Sequence, residues 1–201
     1  MRRWLIGLAV GAVALVALAP GATATGESGP REDAVFDAIN AKGDIVSATY
    51  SANFTDIFLT KVKVRVTTRA GTDPVTTAAW HGTNTAIRTF LDVTTAHPGA
   101  DFVATMRTSP LGHGEFAFTT DVDDLTGADP VPVECAATAT FAAPNIYRAN
   151  VPASCFAPLG PIRVRARVAM IWDPPTVGSQ GIDKSPDVGW GSLLTAPPPP
   201  P

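Results

Sequence analysis

The chain has 201 residues, 45% of them hydrophobic, with 15 basic against 18 acidic side chains and a net charge of −3. That length suits one domain of ~100–200 residues with short flanking segments. The acidic balance argues against a nucleic acid or an anionic membrane surface as partner, because both favour a basic protein.

Residues 1–24 have the build of a secretory signal peptide. Arg2 and Arg3 give a positive start, residues 4–19 an apolar run, and Ala22-Thr23-Ala24 a small-x-small cleavage pattern. The run is short of the ~20 residues a membrane span needs, so cleavage after Ala24 and export are expected, with no membrane span in the mature chain. No cysteine lies beside the cleavage point to carry a lipid. The expected location is therefore secreted, extracellular or associated with the cell wall. Cys135 and Cys155 both fall in the exported part, where an even, small cysteine count indicates a disulfide.

Residues 25–36 are polar at their start and are expected to form a flexible N-terminal lead. Residues 34–41 fit either a helical turn or a strand. Gly43-Asp44 turns the chain into a first strand over 45–50. Residues 55–68 alternate, with Phe58, Val62, Val64 and Val66 on one face and Lys61, Lys63 and Arg65 on the other. A turn cluster at 70–74 precedes strands expected at 78–81 and 86–93, then a loop at 96–99 and a strand over 101–107. His113 lies between Gly112 and Gly114 in a turn, and residues 115–120 form the next strand. Residues 121–132 are acidic and rich in turn formers, which predicts a surface loop.

A hairpin with its tip at Pro144-Asn145 would place Cys135 opposite Cys155 at its open base. In the chain-entropy account, closing that loop contributes about 3 kcal/mol. Pro152 lacks a donor and marks a strand end or a sheet edge. The clearest strand runs over 161–172. Ile162, Val164, Ala166, Val168, Met170 and Trp172 occupy its even positions, and Arg163, Arg165 and Arg167 lie between them. Residues 173–191 look loop-like. The run at 197–201 should extend as polyproline II in a proline-rich tail covering 192–201.

The folded domain is thus expected over 37–191, with eight to nine short strands at the ~8–12-residue spacing of all-β folds. One apolar face per strand suits an antiparallel β-sandwich of jelly-roll or immunoglobulin-like type, with a closed barrel as the alternative.

Several phrases together resemble a group of secreted actinobacterial β-sandwich proteins. They are Gly43-Asp44, TFLDV over 89–93, GADF over 99–102, VPASC over 151–155, IRVRARV over 162–168, and DKSP over 183–186 before a glycine-rich end. The resemblance covers roughly residues 37–191 and implies a compact, disulfide-bearing extracellular domain; it implies no activity. In similar proteins the loop after the LD strand often has a calcium-type DxDxDG pattern, whereas here Asp92 and Asp101 bound a loop that lacks the middle acids.

Calcium takes six to eight oxygen ligands, and Asp121, Asp123 and Asp124, or Asp92 with Asp101, are the candidate donors. The competing account is that Asp is an ordinary turn residue, bonding its side chain to nearby backbone. No other cofactor is expected. The chain has no GxSxG, HExxH or CxxC, and His81, His97 and His113 lie in or beside expected loops. Glu115 is the one candidate for a glycosidase acid. Flat rings pack on the apolar face of a sugar; Trp80 and Trp172 have core positions, which leaves Trp190, between two glycines, as the candidate ligand-binding residue, with packing against the sandwich edge as the competing role. The basic stripes 61/63/65 and 163/165/167 resemble anion-binding ladders, but the simplest account is solvated sheet faces that also guard against edge aggregation; like charges would oppose each other if the two strands were neighbours.

These features point to a non-enzymatic extracellular or cell-surface module that binds a glycan or a cell-surface protein. A structural or protein–protein role in the cell envelope is one alternative, and a hydrolase with a site assembled from loops is another.

Overall fold

Period-two alternation of apolar and polar side chains runs through most of the chain, and the protein folds accordingly as strands. The structure, a computed structural model, describes residues 23–26, 41–55, 57–95, 98–156, 163–175, 181–186 and 189–196. The expectations for residues 1–22, for most of the N-terminal lead, for His97, for Ile162 and for the prolines at 197–201 lie outside the described residues.

Twelve strands form among the described residues: β1 Thr23–Gly26, β2 Ile45–Thr55, β3 Phe58–Thr68, β4 Ala86–Asp92, β5 Phe102–Gly112, β6 Glu115–Asp124, β7 Val131–Val133, β8 Thr138–Ala142, β9 Ile146–Pro152, β10 Arg163–Trp172, β11 Gly181–Ser185 and β12 Leu194–Thr195. The expected cleavage point after Ala24 falls within β1. Every pairing is antiparallel, in the order β1-β2-β3-β9-β8-β6-β5-β4-β10-β11, with β7 beside β6 and β12 beside β10. No α-helix occurs among the described residues. The fold is therefore all-β and antiparallel, and its cysteines, Cys135 and Cys155, are joined with Cα atoms 5.3 Å apart.

The layering is barrel-like where a two-layered sandwich was expected. One continuous hydrogen-bonded path of long, twisted strands has no break at which two layers could separate, so it coils until β2 lies against β10 and β11. Inward side chains such as Val62, Val64, Leu91, Met106, Val164, Val168 and Met170 fill the interior. Large rings close both ends. At one, Trp80 packs against Tyr147, Phe118 and Trp172 with centroids 5.5, 5.6 and 6.4 Å away. At the other, Phe156 meets Phe102 edge-on at 5.3 Å.

Local differences from the sequence expectations have identifiable causes. Residues Ala78–Trp80 form a 3₁₀ turn in place of a strand, because the indole must enter the barrel end from the connection; its Nε1–H donates to Thr72 Oγ1 at 3.0 Å. An irregularity in the β2–β3 register at Asn53/Phe54 changes the phase, so that Leu59 is buried and Phe58 is 53% exposed. Asp121, Asp123 and Asp124, expected in a loop, continue strand β6 beside β5. Part of the expected 173–191 loop is β11, which pairs with the far half of β10. The β8–β9 hairpin pairs Ala142 with Ile146, two residues out of the expected register; the 3₁₀ turn Ala153–Phe156 brings Cys155 back to Cys135.

Candidate functional site

The outward face of β10 and the segment that returns along it bring together the stripe Arg163, Arg165, Arg167 and Trp190. Alternation sends Arg163, Arg165 and Arg167 outward while Val164, Ala166 and Val168 enter the core. The register then decides their fate. Arg165 lies opposite Asp92 of β4, a carboxylate with no solvent exposure. Arg165 Nε–H donates to Asp92 Oδ2 at 2.7 Å, and Arg163 donates to Oδ1 at 3.1 Å and to the Thr94 carbonyl. A buried carboxylate is tolerated only when paired and fully bonded, and the two guanidinium groups satisfy both conditions.

Arg165 in turn supports Trp190. Its guanidinium lies 5.0 Å from the indole centroid, a cation–π arrangement that the planar Arg head group favours. Both neighbours of Trp190 must be glycine. Gly189 has φ +82°, and a Cβ on Gly191 would come within 2.8 Å of the Tyr50 ring and 3.0 Å of the Ala166 carbonyl. The backbone is pinned there, with Gly191 N–H donating to Ala166 O at 2.9 Å and the Tyr50 hydroxyl to Ser192 O. Burial pushes the Tyr50 hydroxyl up to about 12.

Trp190 is half-buried and walls a cleft of about 360 Å³. Phe90 of β4 stands in the wall, Ala100 and Ala169 add apolar surface, and Arg167 and Lys184 contribute two cations. Phe90 is directly opposite Arg167 in the β4–β10 register, and Lys184 opposite Ala169 in β10–β11. The result is an apolar surface with aromatic walls and hydrogen-bond donors nearby. Phe90 and Lys184 were not singled out as ligand contacts from the sequence, since their meeting with Arg167 and Trp190 depends on which strands flank β10.

The five aspartates proposed as calcium donors are not gathered into one site. Asp92 is bonded to the two arginines. Asp101 is fully buried; its Oδ2 accepts the Val93 and Thr94 N–H groups at 2.7 and 2.8 Å, and its Oδ1 accepts the Thr94 hydroxyl at 3.1 Å. Asp121 pairs with Arg107 at 2.6 Å. Asp124 Oδ1 accepts the Thr126 N–H and hydroxyl at 2.8 and 2.7 Å, a local turn bond. Asp123 points to the outer surface formed with Arg88 and Thr105. Among the described residues no group of three or more His, Cys, Asp or Glu side chains is placed to hold a metal ion.

Of the histidines, His81 stacks flat on Phe116 at 3.7 Å, with Nε2 2.9 Å from the Val75 carbonyl. His113 is exposed at the β5–β6 tip with φ +50°, and Glu115 beside it is exposed as well. Trp80 and Trp172 are buried in the core.

Comparison of the chain with protein-family models, with curated proteins and with solved structures gives no match.

Proposed function

We propose that the chain is an exported, non-catalytic binding module whose cleft between Trp190 and Phe90 takes a carbohydrate. The observation that carries this is the mounting of Trp190. A large ring is held partly open to solvent by two obligatory glycines and a guanidinium itself fixed by a buried carboxylate. An indole present only to fill space needs no such support. A rigid ring beside a shallow apolar floor fits the C–H face of a pyranose, and Arg167 and Lys184 can donate to sugar hydroxyls.

The test is calorimetric titration of the full chain with soluble neutral oligosaccharides of cellulose, chitin, mannan and starch type. At least one is expected to bind, and Trp190→Ala and Phe90→Ala are each expected to weaken it about tenfold or more, as loss of a ring contact of ~1.5 kcal/mol implies. Unchanged affinity in Trp190→Ala, or no binding across the set, contradicts the assignment.

A further inference from the structure

The outward face of β2, β3, β9 and β8 forms a groove of about 750 Å³, larger than the Trp190 cleft. The register lays its residues out as a grid. Ser51, Lys63, Asn150 and Thr138 make one row across the four strands, and Thr49, Arg65, Arg148 and Thr140 make the next. Lys61 extends the cations along β3. Rows follow at ~6.7 Å along a strand and columns at ~4.8 Å between strands, so four cations share a small area. Among the described residues no Asp or Glu lines the groove.

Several arginines elsewhere are paired. Arg69, Arg107, Arg163 and Arg165 each have a carboxylate partner. Lys61, Lys63, Arg65 and Arg148 have none among the described residues, although the chain as a whole carries net negative charge. Arg65 lies directly opposite Arg148, an arrangement that destabilises a sheet. In the same groove Asn150 Oδ1 is shielded from water without a hydrogen-bond partner. Unpaired positive charge and a like-charged pair in register coincide there, and an anionic group would relieve both; the orphaned Asn150 Oδ1 is an acceptor and calls instead for a donor, such as a hydroxyl on the same ligand.

We propose that this face is a binding site for an acidic polysaccharide, a polymer with repeating carboxylate or sulfate groups. The flanking Thr49, Ser51, Thr138 and Thr140 hydroxyls and the Asn150 amide suit sugar hydroxyls. Among the described residues the one aromatic in the lining is Tyr50, whose ring is buried, so they offer no base-stacking platform for a single-stranded nucleic acid. The assignment does not rest on the Trp190 cleft.

The test is calorimetric titration of the full chain with polygalacturonate, with uncharged dextran, a single-stranded oligonucleotide and anionic phospholipid vesicles as comparisons. Polygalacturonate is expected to bind, to weaken steeply with added salt, and to weaken about tenfold or more in Lys63→Glu and in Arg148→Glu. Arg148→Glu faces Arg65 with an opposite charge, so its thermal midpoint should match or exceed that of the parent, which separates lost binding from lost folding. Trp190→Ala should leave polygalacturonate binding intact. The proposal is overturned if polygalacturonate does not bind, if the two charge reversals leave its affinity unchanged, or if the oligonucleotide or the vesicles bind at least as tightly.

Discussion

Asp92 holds the Trp190 cleft together from below. Its carboxylate is out of reach of water and engages two guanidinium groups, one of which carries the indole. Asp92→Asn keeps the shape but removes the charge that both arginines face. The expected loss is on the order of 3 kcal/mol, at the low end for breaking a buried pair because both arginines keep some access to water. Chemical denaturation of the variant measures it, and an unchanged midpoint would mean that the pair is replaceable by solvent. The acids at 92 and 101 were visible in the sequence as a loop boundary, but their roles were not. Whether a carboxylate binds a metal, an arginine or a backbone N–H depends on partners far away in the chain, such as Arg163 for Asp92.

The segment from β11 to β12 returns along β10 and closes the barrel against β2 without a ladder to β2. Side chains close that seam. Asp183 Oδ2 accepts the Ile45 N–H, and the Tyr50 hydroxyl donates to Ser192 O beside Gly191. Tyr50 is held neutral in the fold, with its hydroxyl raised from 10.0 to about 12. The unfolded chain therefore loses that proton first as pH rises. The stabilisation is complete below the unfolded value near 10 and is lost as pH climbs through about 12. Thermal midpoints over that range should fall less steeply in Tyr50→Phe than in the parent, and equal slopes would remove Tyr50 from the seam. Strong alternation made β3 and β10 legible in the sequence. The end of β6 and the short β11 were not, since both are rich in turn formers and become strands through pairing with β5 and β10.

Across the whole molecule, two basic stripes that look alike in the sequence have opposite environments. The one on β10 meets Asp92 from β4, whereas the one on β3 meets Arg148 from β9. Pattern reveals a stripe and its face; only strand order reveals its neighbour, and a barrel-like path of ten strands among the described residues, with two more beside it, allows many orders. Net charge concealed the basic groove for a similar reason, because a sum over the chain does not register local segregation. The aromatic cleft was partly legible, since a tryptophan between two glycines at the end of a β-domain is suited to neither a strand nor a core.

The most direct test of the binding-module account is acrylamide quenching of tryptophan fluorescence, with and without a saturating neutral oligosaccharide. Trp80 and Trp172 are 1% and 2% exposed, whereas Trp190 is partly open. The account predicts that the saccharide shields a quenchable component in the parent and that this shielding is absent in Trp190→Phe. Shielding that persists in Trp190→Phe, or calorimetric binding of the saccharide without any shielding in the parent, would place the carbohydrate elsewhere and contradict the account.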